Sequence, residues 1–214
     1  MSFLEQLNPE QREAVLHRDG PLLILAGAGS GKTRVICYRL AYLIGDGHAE
    51  PDQVLAVTFT NKAAEEMRGR VEQLLESESP QLWISTFHAF CARVLRREAP
   101  LIGLSRDFVI YDSIDQLSAV RQAMRDLNVD DKITSPRSLL SRISHAKNRM
   151  ESAADIRQNS HGFGDDQLAA VYELYLKTLR TSGALDFDDL LLKAVTLFET
   201  SENARERYSN RFRY

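Results

Sequence analysis

Eight residues, Ala26-Gly27-Ala28-Gly29-Ser30-Gly31-Lys32-Thr33, constrain this chain more than any others. They follow the apolar run Leu22-Leu23-Ile24-Leu25-Ala26 and open a helical pattern that extends from Lys32 to about Ile44. A polyphosphate must be surrounded by backbone N–H donors, and only small residues let the main chain come that close. Gly27, Gly29 and Gly31 allow that approach. Lys32 can reach the β- and γ-phosphates, and the Thr33 hydroxyl can ligate magnesium at the start of the helix. The first position is Ala26 in place of glycine, but the strand–loop–helix context that gives the motif meaning is present. The expected ligands are ATP and Mg²⁺.

The surrounding pattern is that of a parallel α/β sheet. Leu22–Ala26 reads as a strand buried on both faces. Val54–Thr58 and Leu82–Ser85 read as further strands, with a helix from Asn61 as N-cap to about Leu75 between them. Upstream, Asn8-Pro9-Glu10-Gln11 has an N-cap, a proline at the first helical position and a glutamine at N3, predicting a helix to about His17. Beyond Thr86, helical periods dominate, near 88–98, 114–127, 136–149, 166–182, 188–199 and 203–213. The remaining strand signal there is Phe108–Tyr111. Asp112 or Ser113, Ser135 and Asp186 are the expected helix starts, and 159–164 is the expected flexible loop. The expected fold is therefore an incomplete P-loop (RecA-like) parallel sheet over residues 1–89, followed by a mostly helical inserted subdomain over 90–214.

Composition narrows the function. Net charge is −3. Basic and acidic residues number 8 and 12 over 1–89, 11 and 7 over 90–150, and 8 and 11 over 151–214. Arg137, Arg142, His145, Lys147 and Arg149 lie in an acid-free stretch, which suits either a solvated helix face or a phosphate-binding one. Cys37 and Cys91 lack partners at metal-ligand spacing and read as buried free thiols in a reducing compartment. The N-terminus lacks a basic start and apolar stretch, and no apolar run approaches the ~20 residues that span a bilayer, so a cytoplasmic protein without a membrane partner is expected.

Three segments together carry a resemblance. Ala26–Thr33 with Arg34-Val35-Ile36, Ala56-Val57-Thr58-Phe59-Thr60-Asn61-Lys62-Ala63-Ala64, and Ser85-Thr86-Phe87-His88 resemble, in order and spacing, superfamily-one DNA helicases of the UvrD, Rep and PcrA group. Leu7–Gln11, Ala146-Lys147-Asn148 and Leu185–Leu191 extend the likeness over essentially the whole chain. The resemblance implies an ATP-driven motor with 3′ to 5′ polarity on single-stranded DNA or a single-strand/duplex junction, acting in repair or replication. It implies that Gln11 reads the adenine edge, for which a carboxamide has the right donor and acceptor; a capping-box role is compatible. Arg34 matches a family arginine near the nucleotide, though a helix-surface arginine would look the same. Thr58, Phe59 and Asn61, at a strand end, suit a backbone phosphate and a stacked base; a core phenylalanine beside an ordinary cap is the alternative. Thr86 and His88 match the next strand-contacting motif, and Lys147 falls in a matching segment. His88 rests on the resemblance alone.

Asp186, Asp188 and Asp189 open an apolar helical run and read as helix-start acids rather than a metal site. They precede their apolar run, whereas a Walker B acid ends one. That acid, its neighbouring glutamate, a second RecA-like domain and its arginine fingers are all expected of such a helicase and are not found in the 214 residues. The family pattern would enter that strand after Tyr214. The sheet is accordingly expected to carry an exposed edge, and the fragment to hydrolyse little ATP. Competing readings are the helicase subunit of a recombination nuclease, a P-loop nucleotide kinase, and a binding-only module.

Overall fold

The computed structural model describes residues 2–79, 81–160 and 162–214. His161, within the expected flexible loop, lies outside them. The chain divides into two compact units: Met1–Phe90 with Glu206–Tyr214, and Cys91–Arg205. Glu206–Tyr214, expected with the helical block, instead pack with the first unit.

In the first unit, α1 (Pro9–Leu16) begins with the expected capping box between Asn8 and Gln11. The helix α2 (Lys32–Gly45) presents Val35, Tyr38 and Tyr42 to the core, with Cys37, Leu40, Ala41 and Leu43 also buried. The strand β1 (Leu55–Thr58) pairs in parallel with β2 (Trp83–Thr86), Thr58 standing opposite Thr86. Between them α3 (Asn61–Leu75) packs Ala64, Met67 and Val71 against Val54, Ala56, Leu82 and Ile84. Each large side chain so buried contributes roughly 1.5–3 kcal/mol. The α3 cap is Thr60, whose hydroxyl accepts from Ala63 N at 3.2 Å. Asn61, expected as the cap, occupies the first helical position, and its side chain is left exposed.

The expected strand Leu22–Ala26 is not formed. Leu23 and Leu25 are 81% and 86% exposed. A buried strand needs a ladder partner on each side, and β1 has no room for this one. One edge of β1 holds β2. On the other, Tyr214 O accepts from Leu55 N at 2.9 Å, and Gln53 O accepts from Arg213 N at 3.0 Å. A groove of about 590 Å³, lined by Gly20, Pro21, Ile36, Leu40, Leu55, Val57, Met67 and Tyr214 among others, separates the 20–21 backbone from β1. The returning segment is anchored by Phe212, whose ring lies 5.0 Å from that of Trp83, and by Arg211, 5.0 Å over the same indole.

The helix α4 (Phe87–Glu98) follows β2 directly. The second unit comprises β3 (Val109–Ile110), α5 (Ser113–Asp126), α6 (Pro136–Asn148), α7 (Ala153–Gln158), α8 (Phe163–Thr181), β4 (Ala184–Leu185) and α9 (Phe187–Thr200). α10 (Glu202–Arg211) then carries the chain back. Asp112, Ser135 and Asp186 stand at the N-cap positions of α5, α6 and α9 as expected, the two aspartates accepting from first-turn N–H groups, and β3 pairs in parallel with β4. Val120, Met124, Leu139, Ile143, Leu168, Val171, Tyr175 and Leu179 form the core. Cys37 and Cys91 are buried free thiols, and burial raises both above the ordinary thiol value. No helix of the described residues is long and apolar enough to cross a membrane.

Candidate functional site: a phosphate loop and a sheet-edge platform

Left-handed backbone shapes the phosphate loop. Gly29 and Gly31 have φ of 76° and 88°, a region open to glycine and strained for other residues. A Cβ on Gly31 would meet Gln11 Nε2 at 3.0 Å, so this glycine also makes room for a neighbour. Gln11 Nε2 donates to Ser30 O at 3.0 Å while its Oε1 accepts from Asn8 N at 3.3 Å. One carboxamide thus caps α1 and touches the loop. Ser30 Oγ donates to Gly27 O at 2.8 Å, tightening the turn. Lys32 Nζ donates to Ala26 O and Gly27 O at 3.0 and 2.6 Å, which holds the ammonium against the loop. Residues Ala26 to Ser30, Ala28 included, are exposed with Lys32 and Thr33. Thr33 lies in the first turn of α2, where free N–H groups and the helix dipole favour an anion. Among the described residues its hydroxyl has no hydrogen-bond partner, so it fits a magnesium ligand. Arg34 Nη2 donates to Gln6 O at 3.0 Å and to the Tyr38 hydroxyl at 3.3 Å.

The second candidate region is the carboxyl edge of the β1–β2 pair. Because Thr58 and Thr86 are in register, the residues that follow them emerge side by side. Phe59 is 93% exposed, and its ring lies 6.1 Å from that of Phe87, itself 45% exposed. A core role for Phe59 is thereby excluded. Thr58 and Thr86 are buried and serve the backbone: Thr58 Oγ1 donates to Thr60 O at 3.0 Å, and Thr86 Oγ1 accepts from Ala89 N at 3.2 Å. Asn61 is exposed and His88 half-buried at the same edge. Phe87 was not expected as a site residue, although the repeated Thr-Phe at the two strand ends was the signal for it.

Lys147 corrects an expectation. Anticipated as a nucleic-acid contact, it is 1% exposed in the second unit. Its Nζ pairs with Asp186 Oδ2 at 2.7 Å and Asp189 Oδ1 at 2.8 Å, and Tyr175 OH donates to the same Asp186 oxygen at 2.7 Å. A side chain so enclosed cannot reach a phosphate. Asp186 and Asp189 do stand at the helix start, as expected, and form a capping box there, but they are also the counter-ions of Lys147. Burial, with help from Asp186 and against the pull of Lys147, holds the Asp189 carboxyl above its ordinary value. Burial and the same carboxylates push the Tyr172 phenol up to about 12. No group of three or more His, Cys, Asp or Glu suited to a metal exists among the described residues. The basic stretch is also partly neutralised, Arg142 by Asp165 at 2.7 Å and Arg149 by Glu151 at 2.9 Å.

Comparison with known proteins is decisive for the family, since residues 7–214 match the UvrD/REP helicase N-terminal domain. The chain belongs to the UvrD/REP helicase N-terminal domain family. Its relatives include proteins named ATP-dependent DNA helicase PcrA from Staphylococcus epidermidis and Staphylococcus aureus, each 44% identical over 213 residues. Those alignments cover 100% of this chain and 29% of either relative.

Proposed function

We propose that this chain supplies the ATP- and magnesium-binding site and part of the single-stranded DNA platform of a 3′ to 5′ helicase or translocase working in repair or replication. Lys32 faces the β- and γ-phosphates, the loop from Ala26 to Gly31 wraps them, Gln11 reads the adenine edge, and Arg34 lies beside the nucleotide. Magnesium, held by Thr33, would neutralise charge on the phosphates as the terminal one departs. A Walker B aspartate for magnesium, a neighbouring glutamate to orient the attacking water, and arginine fingers of a second RecA-like domain to neutralise the developing charge would come from elsewhere in the parent protein. Phe59 and Phe87 stack bases of the strand, while Asn61, His88 and the backbone ends held by Thr58 and Thr86 meet its phosphates and sugars. A duplex junction would lie beyond, and the setting is cytoplasmic.

One observation carries the proposal: an almost fully exposed phenylalanine, paired with a second ring, at the carboxyl edge of a parallel sheet. Burying such rings would stabilise the fold, so their exposure favours a ligand with flat faces. A P-loop nucleotide kinase has no use for this platform. The deciding experiment is phosphate release by the full-length protein with and without single-stranded oligonucleotide. Strong stimulation by DNA is expected; unstimulated turnover with phosphoryl transfer to a nucleotide acceptor would favour the kinase.

A further inference from the structure

Phe87 is 45% exposed, so packing on its own ring does little to fix it. Its position is set by the backbone beneath it, the corner where β2 ends at Thr86 and α4 begins. Two aromatic side chains bracket that corner. Trp83 opens β2 on the strand side and Phe90 lies one turn into α4 on the helix side, their ring centres 6.0 Å apart. Phe212, on the returning segment, sets its ring edge-on to both, 5.0 Å from Trp83 and 6.0 Å from Phe90. Tyr208 stacks on Phe212 at 6.2 Å. Edge-on rings at this spacing attract beyond the apolar area they bury, so the two arms of the corner are held at a fixed angle.

Arg211 adds a second hold. Its guanidinium carbon lies 5.0 Å over the Trp83 ring and 5.5 Å over that of Phe212. Its Nε donates to Asp52 O at 3.2 Å, and its Nη2 pairs with Asp52 Oδ2 at 3.6 Å. Asp52 belongs to the 3₁₀ turn Pro51–Gln53, just ahead of β1, the strand that leads to Phe59. One side chain therefore ties the start of β1 to the start of β2. The strands stay in register from Leu55 opposite Trp83 to Thr58 opposite Thr86, so fixing their starts fixes what leaves their ends. There the rings of Phe59 and Phe87 stand 6.1 Å apart. A platform set before its ligand arrives loses little freedom on binding.

We infer that Phe212 and Arg211 are positioning residues for single-stranded DNA, holding the β2–α4 corner so that Phe87 keeps its spacing from Phe59. The inference rests on the reading of Phe59 and Phe87 as the DNA platform. Both positioning residues act through Trp83 and Phe90, with no contact to the strand assigned to them.

The test is binding of a labelled single-stranded oligonucleotide to the full-length protein by fluorescence anisotropy, beside Mg·ATP binding without DNA and thermal melts that establish folding. Phe212→Leu stays apolar, a change that cores tolerate, and Arg211→Gln removes the guanidinium. Each should weaken DNA about fivefold, the lower end of the worth of one stacked base, and leave Mg·ATP affinity at the wild-type value. Phe212→Tyr keeps the ring and should bind DNA as wild type does. Phe87→Ala should weaken DNA at least as much as Phe212→Leu, and combining the two should add no further loss, because residues that act through one another are not additive. If Phe87→Ala leaves DNA affinity unchanged, the platform reading fails, and this inference with it. If Phe87→Ala weakens DNA while Phe212→Leu and Arg211→Gln bind it like wild type, only the positioning role is overturned. Full additivity in the double variant, or Mg·ATP affinity falling in step with DNA affinity, would reduce the cluster to a structural one and would also overturn it.

Discussion

Lys147→Met is the sharpest test of the helical unit. The substitution keeps an unbranched side chain of similar length and removes the ammonium, whose Nζ lies 5.3 Å from the centre of the Tyr175 ring. Asp186 and Asp189 would then remain buried, 1% and 7% exposed, with no cation beside them. Removing one partner of a buried pair costs about 3–5 kcal/mol. At roughly 2–4 °C per kcal/mol for a chain of this size, melting should fall by about 6–20 °C. The sign of the pH dependence also follows. Asp189 already has a raised carboxyl, a group that stabilises below its ordinary value and loses that contribution as pH rises through its folded value. Losing Lys147 removes an influence that lowers it, so the shift should widen and the variant's deficit should shrink from about pH 7.5 to about pH 5. Circular dichroism melts of wild type and variant at both pH values provide the measurement. A melting temperature within about 2 °C of wild type at neutral pH, with loss of DNA affinity, would refute the reasoning and return Lys147 to the DNA-binding surface.

Other outcomes follow from the first unit. Gly31→Ala imposes a left-handed conformation costing about 1–2 kcal/mol and crowds Gln11; nucleotide affinity, read by fluorescent-ATP titration, should fall at least about tenfold. Phe59→Ala should weaken single-stranded DNA by about 1–3 kcal/mol, the worth of one stacked base. Its melting temperature should not change, because the ring is exposed; fluorescence anisotropy and calorimetry check the two halves of that statement.

Local features were legible in the sequence because local chemistry determines them. The capping box at Asn8, the helix start at Asp186, the strand ending at Thr58 and the helix opening at Lys32 all depend on neighbours a few residues away. What was not legible depends on distant partners. Leu22–Ala26 has the composition of a buried strand, yet composition does not provide the adjoining strand that would bury it. Lys147 looked like part of a basic face until Asp186, 39 residues onward, was found against it. The return of Glu206–Tyr214 to the β1–β2 pair is likewise a long-range contact, made by Tyr214 with Leu55 and by Phe212 with Trp83. At the sheet edge the miss was smaller. Thr60 displaced Asn61 as cap because its hydroxyl reached Ala63 N, and Phe87 became visible only when the register placed it beside Phe59.

The account stands on Lys32 serving nucleotide and Phe59 serving DNA as separable functions of one domain. Titrating Mg·ATP into the full-length wild type, Lys32→Ala and Phe59→Ala, under identical conditions, tests that directly. Lys32→Ala should show no saturable ATP binding, and Phe59→Ala should bind ATP as wild type does. Wild-type ATP affinity in Lys32→Ala would contradict the assignment of the loop.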